Sequence, residues 1–201
     1  MAPLKIGYCR IMLKHLLLVA GFVMPRVDGI GQVAEFPPDE YIEWNEFYKL
    51  SWDDFKGHAG KGSFGDAGTS VAIVARPFRA GRRIEYEVRA VFNRKKSWAR
   101  DSSEALLVHE RLHFDIAELY ARKVRRKIQE FGEMEVKNIE KYNAAIQVLL
   151  EESNHYDDQY DRQTLHGALP KRQLGWQQKV AKELNELSGY KKKGHIIRFS
   201  E

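Results

Sequence analysis

The chain has 201 residues, of which 43% are hydrophobic, and this length and composition favour one domain with a sizeable core. Its formal net charge is +5, but outside residues 1–31 the chain has 29 basic and 27 acidic residues, a balance that does not indicate nucleic-acid binding. The single cysteine is Cys9, so a metal site beyond it must use nitrogen and oxygen ligands.

The first 31 residues have the pattern of a signal peptide. An apolar run at residues 16–24 follows the basic residues Lys5, Arg10 and Lys14. It is followed in turn by the small residues Gly29 and Gly31. We expect cleavage near Gln32 and an exported protein, periplasmic or extracellular. The alternative is a buried N-terminal helix, although Gly21 and Pro25 would interrupt it. The run is shorter than the about 20 apolar residues that cross a bilayer, so no permanent membrane span is predicted.

Residues 32–190 are predicted to form one domain, which contains a β-hairpin. Residues 69–76 are rich in valine and isoleucine, and apolar and charged residues alternate over residues 84–92. The alternating apolar residues are Ile84, Tyr86, Val88, Ala90 and Phe92. These patterns predict two half-buried antiparallel strands joined at Ala80-Gly81.

Three helices are predicted after the hairpin. Asp101 and Glu104 have the spacing of a capping box, which indicates a helix over about residues 101–132. Periodic apolar residues predict a second helix over about residues 135–159 and a third between 170 and 189. The predicted fold class is α+β, with a small antiparallel sheet packed on a layer of three main helices and a basic tail at residues 191–201.

The first helix contains the sequence His109-Glu110-Arg111-Leu112-His113. Histidines four residues apart lie about 40° apart around a helix, so both rings can reach one ion. Glu110 lies about 100° from His109, where its carboxylate can take a proton from water without occupying the metal. Apolar residues share the face of the histidines, so this face points into the protein, where bare histidines are costly to bury. The motif predicts a Zn²⁺ site with Glu110 as general base, and ordinary core or surface histidines are the alternative.

A catalytic zinc ion has three protein ligands and one open position, so a third ligand is needed. Glu118 lies about 180° from His109 on a continuous helix and is excluded. The favoured third ligand is His166, because the adjacent Gly167 lets its imidazole turn toward the first helix. Asp161 is the alternative ligand, and otherwise we expect it to orient one. Weaker candidates are His155 and Asp157, and the histidines expected to be exposed are His58 and His195.

Several segments together resemble one group of bacterial proteins. They are residues 50–55, Ser97-Trp98, residues 109–118, Tyr160-Asp161 with Thr164, His166-Gly167, and Gln173 with Trp176. This combination is similar to exported proteins of unknown function grouped as predicted secreted zinc-dependent proteases. The resemblance covers about residues 50–184 and implies a zincin-like fold with His109, Glu110 and His113 in the zinc site. It implies no substrate, because the group has no established activity.

The predicted function is hydrolysis of a peptide or protein substrate by zinc-activated water. In zincin-type folds a strand edge near the metal can pair with an extended peptide, and the strand around residues 86–92 is the candidate for that edge. Alternatively, that strand only covers the helix. One alternative function is a non-catalytic binding or structural module with a closed zinc site, where for instance Asp161 and His166 both bind the ion. Another is a metal-dependent amidase acting on a non-protein substrate.

Overall fold

The computed structural model describes residues 36–63, 65–80 and 83–191. The predicted signal peptide, its cleavage site near Gln32, His195 and residues 192–201 of the predicted tail lie outside these ranges. Within the described ranges, every helix is too short or too polar to cross a membrane.

The described strands form two antiparallel sheets. They are β1 (Tyr41–Glu43), β2 (Ala67–Gly68), β3 (Val71–Ala80), β4 (Arg83–Asn93) and β5 (Trp98–Ala99). The larger sheet has the order β1-β4-β3, and the smaller one pairs β2 with β5. Strands β3 and β4 pair from Val71 opposite Phe92 to Ala80 opposite Arg83, which confirms the predicted hairpin.

The described helices are α1 (Glu104–Glu133), α2 (Ile139–Thr164) and α3 (Pro170–Glu186), with short 3-10 turns at Trp52–Asp54 and Ser188–Tyr190. Together with the sheets they confirm the predicted α+β class. Helix α1 contacts β3, β4, α2 and α3, so it lies at the centre of the fold. Any site on its buried face is therefore surrounded by the other elements.

Two helix starts differ from the prediction. Ser103, not Asp101, is the residue before α1, because the backbone N–H of Asp101 donates to the Asp66 carbonyl beside the small sheet, at 3.2 Å. Helix α2 starts at Ile139 because Glu135 turns the chain with a φ of 53° and the Asn138 side chain accepts the Glu140 N–H. Local interactions around the ends moved both boundaries by a few residues.

The main core lies between the large sheet and α1. The alternating residues of β4 point toward the helix, and Tyr86, Val88, Ala90 and Phe92 are each 2% exposed or less. They pack in one cluster with apolar residues of α1 and α2, namely Phe114, Ala117, Ala121, Val124, Ile128, Tyr142 and Ile146. Burial of this face fixes the rotation of α1 about its axis and thereby aims the face that carries the histidines toward α2 and α3.

Strand β4 does not present a free edge over residues 88–93. It lies between β1 and β3, and its Ala90 carbonyl accepts the Trp44 N–H at 3.0 Å. Two residues before Ala90, the Val88 carbonyl accepts a hydrogen bond from Arg125 Nη2 at 3.0 Å. The prediction that this strand offers the edge for an extended peptide is therefore wrong for residues 88–92, where the alternative, a strand that covers the helix, is found.

Candidate metal centre

The two histidines of α1 face one another in the interior. His109 and His113 are 0% and 1% exposed, and their rings meet edge to face with centroids 4.8 Å apart. Their Nε2 atoms are 3.3 Å apart. The four-residue spacing on a continuous helix thus brings both Nε2 atoms to one point, as the sequence predicts.

Asp161, near the end of α2, is the third member of this group. Its Oδ1 atom lies 3.2 Å from His109 Nε2 and 3.3 Å from His113 Nε2. The side chain is buried, and Oδ1 has no geometrically satisfactory hydrogen bond among the described residues. His109, His113 and Asp161 form the group of ligand-type side chains that can hold a metal ion within the described ranges.

The other nitrogen of each histidine is held by an acceptor. His113 Nδ1 lies 2.6 Å from Asp157 Oδ1, and His109 Nδ1 lies 3.3 Å from Gln173 Oε1. Because a carboxylate and an amide oxygen accept hydrogen bonds, each Nδ1 carries its proton and donates it. Both Nε2 atoms then direct lone pairs at the point that Asp161 Oδ1 also faces.

The distances between these three atoms suit a small tetrahedral cation. Ligand atoms about 2.0–2.1 Å from a zinc ion at the centre of a tetrahedron are about 3.3–3.4 Å from one another. The three edges of the triangle here are 3.2, 3.3 and 3.3 Å. Three acceptor atoms at such distances repel one another unless a positive charge lies among them. Nitrogen and oxygen ligands of this kind fit zinc, although other divalent ions accept the same types.

The electrostatics of the site also favour a positive charge there. Burial opposes the charged imidazolium, but the carboxylates of Asp157 and Asp161 outweigh it and raise the pKa of His113 well above its ordinary value. Burial opposes the ionised form of Asp161 as well, yet the charge of His113, together with the close contacts of His109 and His166, lowers the pKa of Asp161. Burial raises the pKa of Asp157, and its contact with His113 only partly offsets this. A proton or a metal cation supplies the charge that this group of side chains requires.

Tyr160 fixes the rings from one side. Its ring stacks on His109 with centroids 4.8 Å apart, and its hydroxyl lies 2.9 Å from Gln173 Oε1 and 3.0 Å from the His109 carbonyl. Burial, together with the charges of Glu110, Asp161 and Asp157, raises the pKa of Tyr160 well above its ordinary value. The phenol therefore stays neutral and serves as a hydrogen-bond donor.

Glu110 is 0% exposed and lies next to His109 in the sequence, but it is not part of the three-residue group. Its role as a general base beside the ligands stays a prediction. Glu118 is occupied elsewhere, since its Oε1 accepts from Arg122 at 2.9 Å and from Arg125 at 3.0 Å. His155 and His58 are exposed.

His166, the favoured third ligand in the prediction, lies next to the group but outside it. Its Nδ1 is 3.4 Å from Asp161 Oδ2, the carboxylate oxygen that does not face the other histidines. The structure thus brings together His109, His113 and the alternative ligand Asp161. Binding of metal by His166 itself stays a prediction.

The turn after α2 lies directly against the centre. Leu165, His166 and Gly167 have φ values of 48°, 53° and 82°. A β-carbon added to Gly167 would lie 2.9 Å from His109 Cβ. Only glycine fits at position 167, because the backbone there is left-handed and His109 leaves no room for a β-carbon.

A known family model matches the part of the chain that contains the metal centre. The model of a bacterial protein of unknown function, DUF922, matches residues 48–167, more than half of the chain. The chain belongs to the DUF922 family. No curated protein and no solved structure matches it significantly.

The part that matches DUF922 contains His109, Glu110, His113, Asp157 and Asp161 and ends at Gly167. Gln173, which accepts from His109, lies beyond it, so this contact extends the centre past the DUF922 match. From the sequence, Asp157 was only a weak ligand candidate and Gln173 had no predicted role. The signal for Asp157 was its spacing from Asp161, since acids four apart on α2 share one face as the two histidines do on α1.

Proposed function

We propose that this DUF922 protein is a zinc-dependent hydrolase that cleaves peptide bonds. The observation that carries the proposal is the triangle of His109 Nε2, His113 Nε2 and Asp161 Oδ1, with edges of 3.2 to 3.3 Å. Three donor residues among the described ones are the number that a catalytic zinc ion normally takes from its protein. A zinc ion bound there would activate water and polarise an amide carbonyl.

The chain's own residues supply the remaining functions. Glu110 is buried and follows the ligand His109 in the sequence, and in this proposal it is the general base that takes a proton from the attacking water and passes it to the leaving amine. Asp157 and Gln173 hold the two imidazoles by Nδ1, so that both rings keep the tautomer with a free Nε2. Tyr160 holds the His109 ring against rotation through stacking and a hydrogen bond to Gln173.

The burial of the group supports a second candidate function. His109, Glu110, His113 and Asp161 are 6% exposed or less, which is also the character of a closed zinc site that only joins helices. In that case the protein is a structural or binding module, and zinc stabilises the packing of α1 on α2. The presence of a carboxylate at position 110, next to a ligand, favours hydrolysis over this candidate.

Export and substrate are part of the same proposal. The signal-peptide pattern of residues 1–31 supports a periplasmic or extracellular site of action, which N-terminal sequencing of the protein from its producing cell tests by a start near Gln32. A peptide or protein is the proposed substrate. An amidase that cleaves a non-protein amide uses the same chemistry, and a cell-wall fragment in the assay distinguishes it.

The deciding experiment compares the purified protein with Glu110→Gln. Zinc content is measured by atomic emission, and hydrolysis is measured with fluorescently labelled casein and with cell-wall fragments. We expect about one zinc ion per chain in both proteins and a loss of about 10²- to 10⁴-fold in hydrolysis in the variant. Glu133→Gln, the same change at the exposed end of α1, is the matched control and leaves both measurements unchanged.

Each result has a separate meaning. Zinc without hydrolysis of any substrate by the unchanged protein supports the structural candidate. Loss of zinc from Glu110→Gln contradicts the role of Glu110 as a base that does not bind metal. Absence of zinc from the unchanged protein, even after dialysis against zinc, contradicts the metal site itself.

A further inference from the structure

His166 faces the outer oxygen of Asp161. Its Nδ1 lies 3.4 Å from Asp161 Oδ2, whereas Asp161 Oδ1 is the oxygen that meets His109 and His113. We propose that His166 is a positioning residue, which holds Asp161 in the orientation that binds metal and does not itself bind the ion. This inference rests on the proposed metal function and names a residue that controls it.

The surroundings of His166 support this assignment. Its Nδ1 is buried although 23% of the side chain is exposed, so this atom faces inward while another part of the side chain meets solvent. Among the described residues, Asp161 is the acidic partner that this nitrogen meets. The separation is longer than the about 2.7–3.2 Å of a good N–H···O bond, so we expect the contact to shorten when an ion binds at Oδ1.

The backbone of the turn after α2 places His166 beside Asp161. The N–H groups of Leu165 and His166 both donate to the Asp161 carbonyl, the latter at 2.9 Å. Leu165 and His166 have φ values of 48° and 53°, a left-handed conformation that residues with a β-carbon rarely adopt. The chain therefore adopts an unfavourable backbone where it places this imidazole beside this carboxylate, which is typical of a functional position.

Chemistry gives the expected size of the effect. A carboxylate ligand has a second oxygen, and a donor on that oxygen fixes the rotation of the carboxylate group. Loss of such an outer donor typically weakens metal binding by about 10- to 100-fold. Loss of a ligand is more severe, and it also changes the number or type of atoms around the ion. The two roles are therefore separable by affinity together with a spectrum of the bound metal.

The first test compares His166→Ala and His166→Asn with the unchanged protein. Zinc affinity is measured by competition with a chromophoric chelator, and Co²⁺ is used as a visible probe of the ligand set. We expect His166→Ala to bind zinc about 10- to 100-fold more weakly with an unchanged Co²⁺ absorption spectrum. His166→Asn restores most of the affinity, because its amide N–H can replace Nδ1 and asparagine tolerates a positive φ. The matched control is His155→Ala, which removes an exposed histidine from the same helix as Asp161.

The second test is a double-mutant cycle with Asp161→Ala. If His166 acts through Asp161, His166→Ala causes no further loss of Co²⁺ or zinc affinity when Asp161 is already absent. Equal losses in both backgrounds, or a Co²⁺ spectrum altered by His166→Ala alone, would show that His166 is a ligand and overturn the proposal. Circular dichroism and the melting temperature of each metal-free variant establish that it is folded before affinity is compared.

Failure of this inference is distinct from failure of the proposed function. If the unchanged protein binds neither zinc nor Co²⁺, the metal site itself is refuted. If it binds both ions and His166→Ala binds them equally well, only the positioning role is refuted. Neither outcome depends on whether a substrate has been found.

Discussion

Nδ1 of His113 and Oδ1 of Asp157 lie 2.6 Å apart, although 44 residues separate them along the chain. Both side chains are buried, at 1% and 5% exposure, so this short contact joins α1 to α2 without competition from water. It directs the opposite nitrogen of the ring at Asp161. The contact between these two residues therefore orients the ring of His113 within a group that can hold a metal ion.

Removing the charge of this partner should weaken metal binding. Asp157→Asn keeps the shape of the side chain but makes the ring of His113 a less basic ligand, so we expect zinc affinity to fall by about 10- to 100-fold. Chelator competition measures the change. Asp158→Asn, at the exposed neighbouring position, should bind zinc as the unchanged protein does. Equal affinities for the two variants would show that Asp157 has no influence on the metal.

The response of stability to pH should differ between metal-free and zinc-loaded protein. In the metal-free protein the pKa of His113 is raised well above 6.5, so its charged form stabilises the fold fully below pH 6.5, and this contribution is lost as pH rises through the folded pKa. Zinc binding requires the unprotonated ring, so the increase in melting temperature caused by zinc should grow as pH rises above 6.5. Thermal melts with zinc or with a chelator at several pH values measure both trends. An increase independent of pH would contradict competition between proton and metal.

The depressed pKa of Asp161 predicts a second, acidic transition. Its ionised form stabilises the fold above the ordinary value of 3.8, and this contribution is lost as pH falls through the lower folded pKa. The raised pKa of Asp157 acts in the opposite direction. We therefore expect Asp161→Asn to reduce the stability of the metal-free protein near neutral pH and to reduce it less in acid. Denaturant unfolding at two pH values tests this sign.

Gln173 should matter although it lies outside the family match. Gln173→Leu removes the acceptor for His109 Nδ1 and leaves a buried donor without a partner, which costs about 1–3 kcal/mol of unfolding free energy. Zinc affinity should fall as well, since the ring can adopt the other tautomer. Gln178→Leu, at an exposed position of α3, is the control. Urea unfolding of the metal-free proteins measures the free energy of unfolding, and chelator competition measures zinc affinity. If Gln173→Leu changed neither quantity, this role of Gln173 would be refuted.

Gly167→Ala should damage the centre more than its backbone conformation alone explains. Gly167 and Gly62 have similar φ values of 82° and 87°, but an added β-carbon meets His109 Cβ at 2.9 Å in the first case and nothing within 4 Å in the second. Gly62→Ala therefore measures the cost of a left-handed alanine, about 1–2 kcal/mol. We expect Gly167→Ala to lose more unfolding free energy than this and to bind zinc more weakly. Equal losses of unfolding free energy in Gly167→Ala and Gly62→Ala would show that the turn can move away from His109 at no cost in stability.

Glu118→Gln should destabilise the fold without affecting the metal. Glu118 is the carboxylate that pairs with the buried guanidinium groups of Arg122 and Arg125, so neutralising it leaves buried charge without compensation. Breaking such a pair costs about 3–5 kcal/mol. Denaturant unfolding measures this loss, and metal analysis of the folded variant should still find zinc. Reduced zinc affinity in the folded variant would link this ion-pair network to the metal site.

The sequence by itself determined the features that depend on local periodicity. Alternating apolar residues specify the inward face of β4, and the spacing of His109 and His113 places both rings on one face of α1, since 3.6 residues complete a helical turn. The same geometry excluded Glu118. These conclusions need only the periodicity of a strand or a helix, and they do not depend on what packs against it.

Only the tertiary structure decided which distant side chains complete the centre. His166 and Asp161 were both plausible third ligands from sequence, because a short separation along the chain does not say which of two side chains reaches α1. Packing of α2 on α1 brings Asp161 Oδ1 to the histidines, and the left-handed turn after α2 directs His166 to the other oxygen. Gln173 reaches His109 across 64 residues because α3 packs on α1. These contacts depend on how the buried faces of three helices fit together, and no pattern within one helix encodes that fit.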